Sequence, residues 1–472
     1  MEQKNKLAAF IALISLFFVW GFITVMNDIL VNTFEGIFDL SATDRALVQM
    51  TFFGAFFIIS LIYFLISSIS GKDPINRIGY GNGMIISLIV TAIGCGGFYT
   101  AAEFNSYAAF LTALFVLATG VTLLQISANP YVAIIGKAET ASSRLNLAQG
   151  FNSLGTTIGP IIGTILIYQV FSDGQQTIES VSKTYLLYGV VFIMMAIIVK
   201  LVKMPDFKNT STIKPGLGVL RNRHLLFGIF AIFFYVGAEV SVGTWIVSFL
   251  KSDSIMGMSE SKASYFLSYF WGGLMIGRLM ASQAPNKNIP AFKKYMGMTA
   301  TAFGLFAFIY LATSIKMNNG AFSFEPLPFS EVYLYLIYII ISIFAFAISG
   351  SNSAKTLVIF SLINMALIIT AILAEGEIAM WSILGAGLFF SIGWSNIFTL
   401  AIRNLGEYTS QASSLLVMAI VGGAALPWIQ SHIIESYGIQ TSFIIPILAL
   451  AYLVFYGLNG YKVKGEERRE KR

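Results

Sequence analysis

The chain has 472 residues, enough for two or three soluble domains. Hydrophobic residues make up 56% and charged residues only 11%, whereas soluble chains carry about a quarter charged, so a soluble enzyme or binding module is excluded and a polytopic membrane protein is indicated. The net charge of +6 would suit nucleic acid, but its placement at span ends explains it better, and one cysteine, Cys95, excludes an internal disulfide.

A helix that crosses a bilayer needs roughly 20 apolar residues. Such segments are predicted near 7–34, 46–70, 81–101, 106–135, 145–171 and 184–203. The start, MEQKNKLAAF, leads into a hydrophobic run too long for the core of a cleavable leader, so none is expected. After the sixth segment comes the longest basic interruption, KMPDFKNTSTIKPGLGVLRNRH. The pattern resumes near 224–250, 263–284, 294–315, 331–349, 356–373, 378–401, 411–433 and 442–460, giving fourteen predicted spans. With the N-terminus inside, all but five of the 29 Lys and Arg fall on one side, Arg278 counted among them as a span-end charge. The exceptions are Arg45, Lys183, Lys251, Lys262 and Lys316. The positive-inside rule therefore expects both termini in the cytoplasm. The basic balance is topology, and no nucleic-acid partner is expected.

An internal repeat organises these spans. FFVWG (Phe17 to Gly21) recurs as FFYVG (Phe233 to Gly237), and GKAETASSRL from Gly136 resembles GEYTSQASSLL from Gly406. Each member of the second pair precedes a helix bearing glycines and a proline, Pro160 or Pro427. In the first half this turn follows the fourth span, and in the second half the sixth. Two spans, near 294–315 and 331–349, are therefore surplus. The expected organisation is a six-helix half over 1–203, a cytoplasmic linker over 204–223, a second half over 224–460 carrying two extra helices near 294–349, and a basic cytoplasmic tail over 461–472. The extra pair is expected at the periphery, since neither helix carries an intramembrane charge.

Two acids lie within spans: Asp28, next to Asn27 in the first helix of the first half, and Glu239, in the first helix of the second. No intramembrane Lys or Arg is evident to pair with either, and intramembrane ionisable groups are functional candidates by default. Gln125 and Asn129 lie four residues apart, and Asn146, Gln149 and Asn152 three apart, so each set shares a helix face. Carboxylates and carboxamides suit a hydroxyl-rich ligand, because each hydroxyl both donates and accepts. Trp20, Trp245, Trp271 and Trp394 are available to stack on sugar faces. Packing explains some of these residues equally well. Amides tie membrane helices together, Asn129 beside Pro130 suits backbone groups freed by the proline, and tryptophans anchor at interfaces. The helices carrying Asp28, Gln125, Gln149 and Glu239 are expected to line one ligand site near mid-membrane. There a desolvated Asp28, or Glu239 in its place, would serve as a switchable charge.

The blocks WGFITVMNDIL, NPYVAIIG, RLNLAQGFNSLGTTIGP, YVGAEVSVG, WGGLMIGRLM, LFFSIGWSNIFTLAIRNLG and ASSLLVMAIVGGAALP occur in order over nearly the whole chain. Together they resemble the fucose/glucose–galactose permease family of the major facilitator superfamily. The resemblance implies an all-α membrane protein with that superfamily's fold, two six-helix halves plus the inserted pair. It implies cation-coupled monosaccharide uptake by alternating access, usually with protons, in the bacterial inner membrane. Asp28 matches the first-helix Asp that the family uses in coupling and sugar binding. Gln125 falls where fucose permeases carry a Glu, while the glucose–galactose branch has Gln there and a seventh-helix Glu matching Glu239. The resemblance therefore implies hexoses such as glucose or galactose over fucose. Phe390 and the pair Ser395 and Asn396 depart from the family's usual residues, and Asn76 stands at an acidic place of the superfamily signature.

The expected site is thus Asp28 and Glu239 for proton coupling, with Asn27, Asp28, Gln125, Gln149, Asn152, Glu239, Trp245 and Asn396 for substrate. Its partners are a sugar and the bilayer, with a monomer sufficient for function. A sodium-coupled carrier, an L-fucose-type permease and a non-transporting sugar receptor are the alternatives. An intramembrane enzyme is not expected: His224 and His432 lie near span ends, there is no DxxD-like cluster, and no catalytic residue, metal site or cofactor is assigned.

Overall fold

In hydrocarbon every backbone N–H and C=O has to be satisfied within its own segment, so apolar runs of this length fold as helices. The computed structural model describes residues 2–38, 40, 42–172, 177–202, 204, 215–284, 290–318 and 321–463. Within these, the side chains of 2–6, 28, 31–32, 35–36, 42–46, 164, 168–169, 260–261, 316–318 and 321–322 lie outside the described set. The helices run in chain order as α1 (Glu2–Phe38), α2 (Ala42–Ser70), α3 (Pro74–Ile78), α4 (Tyr80–Glu103), α5 (Tyr107–Ile134), α6 (Ala141–Ile165) and α7 (Ile178–Leu201). After the linker come α8 (Arg223–Lys251), α9 (Glu260–Ala281), α10 (Ala291–Thr313), α11 (Tyr335–Ser349), α12 (Ser353–Leu373), α13 (Gly376–Phe390) and α14 (Gly393–Ala401). The last are α15 (Thr409–Met418), α16 (Gly422–Tyr437), α17 (Ile439–Ser442) and α18 (Ile444–Phe455).

Each of the fourteen predicted spans coincides with one of these helices or a consecutive set. Eleven of the described segments are long and apolar enough to cross a membrane. The other three are α6, whose first half is rich in Ser, Asn and Gln, α9, and α11, which is only 15 residues long. The chain is a multi-pass membrane protein.

Local chemistry sets the helix boundaries. Ser106, Ser259 and Asn352 cap α5, α9 and α12 by accepting from the first-turn backbone, and Thr177 and Ser180 form a reciprocal box at α7. The repeat is visible in the backbone. A 3₁₀ turn, Ala138–Thr140, precedes α6, and another, Gly406–Tyr408, precedes α15.

The chain forms two compact units. The first comprises Met1–Lys137, Leu154–Arg221 and Asn404–Val421; the second comprises Ala138–Ser153, Asn222–Arg403 and Gly422–Arg472. Each sequence half thus lends one segment, the start of α6 or α15, to the other unit. In the first unit α4 and α5 approach closely at Gly120, where an added Cβ would lie 2.4 Å from the Thr91 nitrogen. In the second, α9 and α13 meet in the same way: a Cβ on Gly387 would lie 2.1 Å from the Phe270 carbonyl oxygen.

The inserted pair belongs to the second unit. The hydrophobic window of α10 is only 22% buried, the least of the eleven. On α11, Ile337, Ile340 and Phe344 are exposed. The link between them is a hairpin, β1 (Ile315–Asn318) and β2 (Ala321–Phe324), paired antiparallel with Ile315 opposite Phe324. Lys262 Nζ, 2.9 Å from Glu331, ties the end of that link to the start of α9. Tyr335 Oη donates to the Tyr269 carbonyl of α9 at 2.8 Å and holds α11 in place.

One polar knot in the first unit falls outside the expected site. Asp73 caps α3 and accepts from the Asn76 amide, Tyr63 and Ser410 on one oxygen and from Ser67 on the other, at 2.8–3.3 Å. Asn76, at the acidic place of the superfamily signature, instead donates to the Glu407 carbonyl at 2.7 Å. Burial pushes the Asp73 carboxyl above the usual carboxylate range, and the bonds it accepts only partly oppose that.

Candidate functional site

In the first unit the expected residues lie on α1 and α5. Asp28 is carried by α1, and its side chain lies outside the described residues. Asn27, one position earlier and 3% exposed, donates from Nδ2 to Gln49 Oε1 at 2.9 Å, and its Oδ1 is buried without a partner among the described residues. Gln125 is 1% exposed, and both its Oε1 and Nε2 lack partners among the described residues. A buried amide left open at both ends costs about 1–3 kcal/mol for each group. Asn129 behaves as a structural residue, its Nδ2 donating to the Gln125 carbonyl at 3.1 Å. That is the carbonyl next to Ile126, the one that loses its usual donor to Pro130.

In the second unit Gln149 and Asn152 are buried on the first half of α6. The next residue, Ser153, accepts from Arg278 Nη1 at 2.6 Å. Arg278 also donates from Nε to the Ser391 carbonyl at 3.3 Å, and its Nη2 lies 3.7 Å from Glu239 Oε2. Tyr235, one turn earlier on α8, donates to the same Oε2. Phe390 fills the space beside this knot, its ring 6.4 Å from that of Tyr235 and 6.2 Å from that of Phe270.

This overturns one expectation. Glu239 does have an intramembrane cation as partner, and Arg278 is not a span-end charge facing water. It is 8% exposed and spends all three of its nitrogens on protein groups. Two opposite charges 3.7 Å apart attract by roughly 4 kcal/mol at an effective dielectric of about 20. The signal was present in the sequence: WGGLMIGRLM puts an Arg several residues inside the 263–284 span. Counting charges by side hid it, because that count assumes a basic residue near a span end reaches water.

Trp245 and Asn396 differ in character. The Trp245 indole N–H is a buried donor without a partner among the described residues. Asn396 is bonded at both ends, accepting from Ser142 at 2.5 Å and donating to the Ser353 carbonyl at 3.1 Å. Asn396, Ser142, Asn146 and Thr356 line a cavity of about 10 Å³ in the second unit, room for about one water and too small for a sugar. Trp394 stacks on Phe398 at 5.9 Å, and Trp271, 36% exposed, is the most open of the four tryptophans considered for stacking.

Polar groups buried in mid-helix, several of them open to a further partner, are what a solute carrier requires and what a purely structural bundle avoids. The sequence profile of the Major Facilitator Superfamily matches residues 7–354. The chain belongs to that superfamily and, within it, to the fucose/glucose–galactose permease family. It is 40% identical over 467 residues to the glucose/galactose transporter of Brucella abortus biovar 1 (strain 9-941), covering 98% of this chain and 96% of that protein. It is 26% identical over 481 residues to the L-fucose-proton symporter of Escherichia coli (strain K12), covering 96% and 93%. The solved structure of the Escherichia coli fucose:proton symporter, FucP, shares the fold, with a TM-score of 0.72 and 24% identity over 97% of this chain and 100% of that one.

Proposed function

We propose that this protein is a proton-coupled symporter that imports a hexose, glucose or galactose, across the bacterial inner membrane by alternating access. In this reading both termini are cytoplasmic, one chain is sufficient, no cofactor takes part and no bond is made or broken. The substrate class is supported by 40% identity along nearly the whole chain to a protein named as a glucose/galactose transporter. The observation that carries the reading is Gln125. Its buried amide, with no partner for donor or acceptor among the described residues, complements a sugar hydroxyl, which both donates and accepts. Asn27 in the first unit, and Gln149, Asn152, Glu239 and Trp245 in the second, are proposed as further sugar-binding residues. Asn396 would have to release Ser142 or Ser353 to join them.

Asp28 is assigned the coupling proton. An acid in an apolar helix resists ionisation, so it loads a proton before the occluded passage and releases it once water reaches the site. The test is counterflow of labelled glucose, galactose and L-fucose in proteoliposomes, followed by uptake under an imposed pH or sodium gradient. Exchange of glucose or galactose with accumulation driven by the pH gradient is expected. Accumulation driven only by sodium would replace the ion, exchange of fucose alone would replace the sugar, and specific binding without exchange would make the protein a receptor.

A further inference from the structure

Glu239 and Asp28 occupy equivalent helices of the repeat, and Glu239 has a cation, Arg278, beside it within the membrane-spanning region. Both partners of its carboxylate, Tyr235 and Arg278, sit on Oε2. No described residue donates to Oε1, and the side chain keeps 13% of its surface accessible. Arg278 is itself held at the other two nitrogens by Ser153 and the Ser391 carbonyl, so it cannot follow Glu239 if the carboxylate turns away. The charged and titratable groups that act on Glu239 are Arg278 of α9 and Tyr235 of its own helix. Helices α13, α14, α16 and α18, also packed against α8, bring no other to it among the described residues.

Resting on the sugar-carrier reading above, we propose that Arg278 is the positioning residue of the sugar site. It holds Glu239 as a charge-compensated carboxylate whose Oε1 accepts a sugar hydroxyl, and so removes Glu239 from proton coupling. A buried carboxylate that lacks a cation must take up a proton or reach water, whereas a cation 3.7 Å away favours its ionised form. The pair is neutral as a whole, and it passes through the transport cycle without gaining or losing a proton. Arg rather than Lys fits the task, because its three nitrogens are set apart on a rigid plane and reach the Ser391 carbonyl, Ser153 and Glu239 in different directions.

The experiment uses the full chain in proteoliposomes and measures sugar KM and maximal counterflow rate between pH 5.5 and 8.5. Wild type, Glu239→Gln, Arg278→Gln and the double variant are compared. Wild-type counterflow of labelled glucose or galactose tests the carrier reading alone; its absence sinks both ideas. Given that exchange, Glu239→Gln should raise KM about tenfold, the difference between a charged and a neutral acceptor for one hydrogen bond, and should still accumulate sugar when driven by a pH gradient. Arg278→Gln should raise KM and make it pH-dependent, tighter in acid where the orphaned Glu239 is protonated. The double variant should lose that pH dependence. If Arg278→Gln does not reach the membrane folded, Glu239→Gln decides alone. The assignment is overturned if Glu239→Gln exchanges sugar but cannot accumulate it, or if Arg278→Gln keeps the wild-type pH profile of KM.

Discussion

Replacing Gln125 by Met keeps a side chain of similar length and volume but removes both polar atoms. Those atoms are buried and have no partner among the described residues, so in the reading above the sugar-free chain bears their desolvation cost, about 1–3 kcal/mol for each group, until a ligand arrives. The substitution should therefore stabilise the sugar-free protein by about 1 kcal/mol or more once packing adjustments of up to about 1.5 kcal/mol are allowed for. It should also weaken sugar binding by one to two orders of magnitude, since a bound hydroxyl would face a thioether in place of an amide. The assay is a thermal melt of detergent-solubilised protein with and without saturating sugar, paired with counterflow KM. The expected pattern is a higher melting temperature without sugar and a smaller shift on adding it. A melting temperature that falls while the sugar-induced shift is unchanged would refute the reasoning, because it would mean that the amide serves the fold.

Asp28→Asn keeps shape and hydrogen bonding but cannot titrate. It should abolish accumulation driven by a pH gradient and leave sugar exchange, as measured by uptake and counterflow in the same vesicles. Asp73→Asn should flatten the pH dependence of stability. The folded-state pKa of Asp73 is raised, so its favourable contribution is complete below its unfolded value near about 4 and is lost as pH rises through the folded value. Melts from pH 4 to 8 should show the difference between variant and wild type moving in the variant's favour as pH rises. Tyr335→Phe removes the donor to the Tyr269 carbonyl and should cost about 1–2 kcal/mol of stability. Sugar KM should not change, because α11 belongs to the exposed insertion; a KM shift would bring the inserted pair into the transport cycle.

The fold was legible because in lipid a single periodicity decides it. Wherever roughly 20 apolar residues ran together, a helix was the only way to satisfy the backbone, and each of the fourteen expected spans is present. The repeat was legible for a related reason. The ASS triplets recur because each opens the helix that follows a short 3₁₀ segment, with a proline further on, Pro160 within α6 and Pro427 in α16, the helix after α15. The lending of α15 and the first half of α6 to opposite units was not legible, because no local pattern records which neighbours a buried polar helix will choose.

The site was legible one residue at a time and illegible in its pairings. Gln125, Asn27 and Trp245 stand out in sequence as polar groups in apolar helices, and each retains a buried atom with no partner among the described residues. Glu239 stood out for the same reason, but its partner is 39 residues away on another helix and carries a charge that sequence statistics assign to water. Asp73 carries no signal in the sequence because it sits in a turn, where acids are ordinary, although four donors from three separate segments converge on it. In both cases the missing information is which side chains a fold brings within 4 Å, and the consequence for function is large. Under the proposals above, two acids that the repeat presents as equivalents become different devices, Asp28 carrying the proton and Glu239 held beside Arg278.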